Sequence, residues 1–327
     1  MRAILLGFLI AVPQQEDRIV FLGDSITDGH TLPLLVQQAL KSPRCINAGV
    51  AGDTAAGMLK RLERDVLSRK PTRVVLSAGI NDVFHKVTPE AYERDLRAIA
   101  ERLKKEGVPM LLLTPTILGP KHAETEKKLE EYIAVLRKLG SDVAEVHARM
   151  KEARAAGQDL LEPDQVHLTF AGYRVMVRAV LDALGRREVE VPKELTLQPM
   201  PGILRQWKIR AAGEEEWKTL TLPQPGPASH WWMDQERRRG FAVELGSAKR
   251  YQARATFEEA SSRAVFINTG ASIESITLNG KLLWKSEGWT GWHAGKERIE
   301  ARLEPGANTL EIESGTSFFL SVTDDAR

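Results

Sequence analysis

Cysteine is almost missing from this chain of 327 residues, which carries only Cys45. That excludes an intramolecular disulfide and any metal site made of several thiolates, and in "PRCINAG" the residue reads as a small buried strand position. An excess of one charge is missing too: 46 Lys and Arg stand against 44 Asp and Glu, a net +2. No basic stretch interleaves with aromatics, so nucleic acid is not an expected partner. No apolar run is long enough for an integral membrane helix. The run from Ala3 to Val12, after one positive charge and before "PQQEDR", reads as a leader over residues 1–17 that directs secretion or delivery to a periplasm. It lacks a small-x-small cleavage site, so a first strand in a cytoplasmic protein stays open as the alternative. "GVAGDT" lacks the lysine of a phosphate-binding loop, and His85 and His122 have no partners at metal-ligand spacing, so neither cofactor nor metal is expected.

What is present divides in two, as the length leads one to expect. From Arg18 to about Gly185, the short apolar runs "RIVFLG", "RCINAG", "TRVVLSAG" and "VPMLLLTP" alternate with amphipathic stretches at Leu32–Leu40, Thr54–Leu67, Pro89–Glu106 and Glu124–Leu139. A weaker fifth strand falls at Asp142–Val146. Buried strands alternating with helices of this length predict an α/β region, 18–185, with a parallel sheet covered on both faces. Residues 186–200, charged and proline-punctuated, read as a linker. From 201 to 327 the pattern changes to short alternating segments such as "GFAVEL" and "YQARATF", and all seven tryptophans lie between Trp207 and Trp292. "LNGKLLW" holds the Asn-Gly pair of a two-residue hairpin, whose central positions both need positive φ. A second, smaller all-β sandwich is predicted there.

In an open parallel sheet, reacting groups gather beyond the carboxyl ends of the strands. Ser25 stands at such an end in "VFLGDSITDG", where a serine by itself is more often a turn or cap hydroxyl. The second end, "NAGVAGDT", places Gly52 ahead of Asp53 and Thr54, which read as helix caps; at Gly52 the missing Cβ lets a backbone N–H approach a ligand. The third, "LSAGINDVF", brings Gly79 and Asn81 into the same layer, and the Asn81 amide is a neutral donor. In "PDQVHLTFAGY", Asp164 can reach one ring nitrogen of His167 and leave the other facing outward, while Thr169 caps the last helix.

The blocks "GDSITDG", "GDT", "GIND" and "PDQVH" resemble the successive motifs of the SGNH (GDSL-type) hydrolase family over roughly residues 18–185. The resemblance implies a flavodoxin-like three-layer α/β/α sandwich, a serine nucleophile at Ser25, and a base and acid at His167 and Asp164. It also implies an oxyanion hole made by the Ser25 N–H, Gly52 and Asn81. The segment after the first block, "GHTLPLLV", lacks a tryptophan often found there, which leaves the shape of the acyl pocket open. Ser272–Ser314 resembles the jelly-roll, galactose-binding-like domains attached to many secreted carbohydrate enzymes.

The expected function is a serine esterase that removes small acyl groups, acetyl first among them, from a carbohydrate. One alternative is a lysophospholipase or thioesterase acting on longer acyl chains, against which no long apolar lid insertion is present. Another is a non-catalytic carbohydrate-binding protein, against which the set of polar groups is complete. The clustered tryptophans of "HWWMDQ" and "GWTGWH" would suit a sugar-stacking platform, but most of the seven are expected to fill the core.

Overall fold

The computed structural model describes residues 17–41, 44–140, 142–226, 228, 233–287 and 297–324. Residues 1–16 of the expected leader lie outside these, as do Trp231, Trp232, Trp289 and Trp292.

Strands β1 (Arg18–Gly23), β2 (Arg44–Gly49), β3 (Arg73–Ser77), β4 (Met110–Leu113) and β5 (Asp142–Ala144) form a parallel sheet in the order β2-β1-β3-β4-β5. The central strands are continuous apolar runs because both their faces are covered: Val20, Phe21 and Leu22, Val74 and Leu76, and Leu111 to Leu113 are buried. After β1 come α1 (Ser25–Asp28) and α2 (Thr31–Leu40), and after β2 come α3 (Ala55–Lys60) and α4 (Leu62–Asp65). Helices α5 (Ile80–Phe84) and α6 (Pro89–Lys105) follow β3, α7 (Ala123–Lys138) follows β4, and α8 (Val146–Ala155) and α9 (Phe170–Ala183) follow β5. Helix α6 shows why these stretches are helical. Thr88 caps it by accepting from Ala91 N, Pro89 opens it, and Tyr92, Leu96, Ile99 and Leu103 bury one face at helical spacing. The strand order reverses between β1 and β3, and in such sheets a crevice opens at that point.

Two elements differ from the sequence reading. The helix expected over Thr54–Leu67 breaks at Arg61, whose guanidinium turns inward to the carbonyls of Ala48 and Gly23 at the ends of β2 and β1. Helix α8 was not expected; it buries only Val146, His147 and Met150, too few to give an apolar period.

The second half is antiparallel: β6 (Gln206–Ala211), β7 (Lys218–Thr221), β8 (Ala242–Glu244), β9 (Tyr251–Glu259), β10 (Arg263–Leu278), β11 (Lys281–Lys285), β12 (Glu297–Leu303) and β13 (Gly306–Thr323), with the short helix α10 (Asp234–Arg238) before β8. Strands β10 and β13 are long and pass through both layers of a sandwich. The first part of β10, Arg263 to Thr269, pairs with β12 and its last part, Ser275 to Leu278, with β11, while β13 pairs with β9 up to Ser314 and with β8 from Ser317. Residues of both halves share one core, in which Trp207 stacks edge-on against Phe318 at 5.2 Å. Trp284 packs against the same core, and Trp217 lies under the guanidiniums of Arg210 and Arg254. The expected hairpin is present: Leu278 pairs with Lys281 around Asn279 (φ 51°) and Gly280 (φ 77°).

The two halves touch along α2 and α4. Gln235 of α10 donates to the Thr31 hydroxyl, Glu236 Oε1 lies 3.3 Å from His30 Nδ1, and Arg298 of β12 donates to Asp65. Residues between α9 and β6 run along the first half, held where Gln38 donates to Glu194 O and accepts from Thr196 N, both at 3.0 Å.

Candidate active site

Ser25 opens α1 immediately beyond β1. Asp24 precedes it in extended conformation and caps the turn, its carboxylate accepting from Ile26 N at 3.0 Å. The Ser25 hydroxyl meets His167 across 142 positions of chain: Oγ is 2.9 Å from Nε2. His167 is held by the turn that the spacing of Asp164 and His167 predicts. One carboxylate oxygen of Asp164 accepts from the backbone N–H of Val166 and of His167 at 3.0 Å, and the other receives His167 Nδ1 at 2.5 Å. With its proton on Nδ1, the ring presents a bare Nε2 to the serine. Burial pushes the Asp164 carboxyl up, but its hydrogen bonds from the His167 ring and from the Val166 and His167 amides outweigh this and hold it below the usual carboxylate range.

Gly52 and Asn81 come to the same place. Both line, with Ser25, Asp164 and His167, a cavity of about 1180 Å³. Gly52 adopts φ +76°, and a Cβ there would touch nothing within 4 Å, so glycine answers to backbone conformation and not to crowding. Asn81 sits in the first turn of α5, and one N–H of its amide donates to Asp53 O at 3.0 Å. That bond fixes the amide plane and leaves the second N–H available. Gly79 starts this helix at φ +122° and does not line the cavity. His85 is exposed, as expected of a solvated side chain; His122 lies behind the acid, Nε2 at 3.3 Å from Asp164 O.

The first three motifs each carry an aspartate that works beneath the surface, a role the sequence reading missed. Asp82 accepts from Ala55 N at 3.1 Å and so ties the third block to the second. Asp53 receives Arg61 Nε at 2.7 Å, and Arg61 Nη2 reaches back to Gly23 O at 3.0 Å, tying the second block to the first. Burial pushes Asp24 up to about 7 and Asp82 up to about 6. The signal for Arg61 was present: it stands three residues after Met58 and four before Asp65, on the buried face of the amphipathic stretch.

The GDSL-like Lipase/Acylhydrolase family matches residues 21–175. Esterase TesA of Pseudomonas aeruginosa is 31% identical over 42% of this chain and 78% of its own length. An acetylxylan esterase of Geobacillus stearothermophilus is 25% identical over 52% of this chain and 94% of its own. Its crystal structure superposes with a TM-score of 0.48, at 24% identity over 54% of this chain and 97% of that one. The chain therefore belongs to the GDSL-like lipase/acylhydrolase family and is a carboxylic ester hydrolase.

Proposed function

We propose that the protein removes small acyl groups, chiefly acetyl, from esters of carbohydrates, with Ser25 as nucleophile, His167 as base and Asp164 as its partner. The observation that carries this is the unbroken line from Asp164 Oδ2 through the His167 ring to Ser25 Oγ, at 2.5 and 2.9 Å. As Ser25 attacks the ester carbonyl, His167 Nε2 takes the hydroxyl proton and Asp164 stabilises the imidazolium. Negative charge collects on the former carbonyl oxygen. The N–H groups of Ser25 and Gly52 and the amide of Asn81 stabilise that oxyanion more than the starting ester. His167 then returns the proton to the departing alcohol, and water repeats the cycle on the acyl-enzyme.

The acetyl-carbohydrate reading draws support from the acetylxylan esterase relative and from the polar rim of the cavity, where Asp28, Glu162, Lys193 and Asp234 stand. Export to where polysaccharide is met, expected from the leader, belongs to the same proposal. Longer acyl chains are the second reading, supported by the cavity residues Phe170, Leu195, Leu197 and Phe319 and by the relative named thioesterase 1/protease 1/lysophospholipase L1 of Escherichia coli, 29% identical over 34% of this chain and 55% of its own. Acetate release from acetylated xylan by the wild type, lost in Ser25→Ala, is the expected result. A series of p-nitrophenyl esters separates the two readings: rates fall with chain length under the first and rise under the second.

A further inference from the structure

The cavity beside Ser25, about 1180 Å³, exceeds what an acetyl group fills and lies above the ~300–1,000 Å³ of ordinary ligand sites. Its surplus is walled by the second half of the chain. Asp234, Gln235, Glu236 and Arg238 of α10 line it, with Phe319 of β13 and, from the connecting segment, Lys193 and Glu194. This wall is built in place. Gln235 is anchored on Thr31, Glu236 faces His30, Glu194 O is held by Gln38, and Met233, Phe241 and Phe319 pack into one apolar cluster behind α10. A wall fixed before the ligand arrives binds without an ordering cost.

Its chemistry selects among alcohols. Arg238 and Lys193 donate, the carboxylates of Asp234 and Glu194 accept, and the Gln235 amide can do either, which suits a ring carrying several hydroxyls. Acidic groups outnumber basic ones around the cavity, with Asp28 and Glu162 added, so an anionic alcohol such as a phosphate-bearing headgroup or a uronate is disfavoured. We propose that α10 and the adjoining Lys193–Glu194 segment form the subsite for the alcohol half of the ester, and that this subsite takes a neutral, polyhydroxylated alcohol. It rests on the esterase reading of Ser25, and it makes the β-sandwich region part of the active site.

The full-length chain is assayed with p-nitrophenyl acetate and with a mono-O-acetyl methyl glucoside, and methyl glucoside and methyl glucuronide are tested as inhibitors of p-nitrophenyl acetate turnover. Arg238 is exposed, so Arg238→Ala leaves the fold intact, whereas Gln235→Leu also loses the bond to Thr31 and tests the placement of the wall. In Arg238→Ala and Gln235→Leu the ratio of kcat/KM for the sugar acetate to that for p-nitrophenyl acetate falls about fivefold, the loss of one hydrogen bond. Methyl glucoside inhibits competitively, more weakly in both variants, and methyl glucuronide inhibits less than the glucoside. Equal losses on both substrates, unchanged ratios, or stronger inhibition by the glucuronide would overturn the subsite. Inhibition by the glucoside without turnover of its acetate keeps the subsite and overturns the carbohydrate-esterase reading instead, so the two failures are told apart.

Discussion

Arg298 of β12 donates to Asp65 of α4, a carboxylate with no exposed side-chain surface that also receives Arg61 and Arg64. Through Asp65 and Arg61 this arginine thus connects the β-sandwich to the ends of β1 and β2, since Arg61 continues to Asp53 and to the carbonyls of Gly23 and Ala48. Burial pushes the Arg298 guanidinium down to about 10, a sign of how little water reaches it. Removing it leaves Asp65 with two of its three cations. Arg298→Ala is expected to cost about 1–3 kcal/mol, seen as a drop of roughly 2–4 °C in Tm per kcal/mol. An unchanged Tm would mean that the contact contributes nothing to stability.

Arg61 is expected to matter for rate. Its fork holds two strand ends and the Asp53 side chain, and the Asp53 carbonyl in turn orients the Asn81 amide. Arg61→Lys keeps the charge but not the planar set of donors. Its kcat on p-nitrophenyl acetate should fall roughly tenfold with KM little changed, because a misplaced oxyanion donor is felt in the transition state. A rise in KM at constant kcat would contradict that role.

On the proposed mechanism, Asn81→Ala removes a donor to the oxyanion directly. The expected loss in kcat is about 10²–10³-fold, again with little effect on KM. Retention of more than half the wild-type kcat would show that the amide does not face the developing charge.

Asp24 carries a pH signature. Its folded pKa, raised to about 7 by burial, stands above the ordinary 3.8, so the folded state holds the proton more tightly than the unfolded chain. The stability this provides is complete below about pH 4 and is lost as pH rises toward 7, on the order of 4 kcal/mol across the window. Asp24→Asn keeps an oxygen for Ile26 N and has nothing to titrate. Melting curves from pH 4 to 8 should show the wild type losing Tm relative to the variant as pH rises; parallel curves would contradict it.

The legible part of this molecule follows from local rules. Buried strands such as "RIVFLG" and caps such as Thr88 and Thr169 declare themselves because neighbours in sequence decide them. Ser25, Gly52 and Asn81 were readable because a parallel sheet gathers the ends of its strands, while Asp164 and His167, in the loop before α9, were pointed to by the family resemblance; all five line one cavity. The break at Arg61 was not, since helical periodicity carries no record of which carbonyls a buried guanidinium will find. Nor was the wall formed by α10. Its residues lie more than two hundred positions beyond Thr31, and only the packing of two separately built cores brings them to the cleft.

The decisive measurement is covalent labelling with a fluorophosphonate followed by peptide mass analysis. If His167 activates the Ser25 hydroxyl as proposed, a single phosphonylated peptide containing Ser25 is expected, with labelling abolished in Ser25→Ala and slowed at least a hundredfold in His167→Ala. An adduct on another residue, or Ser25→Ala turning over p-nitrophenyl acetate at the wild-type rate, would contradict the account.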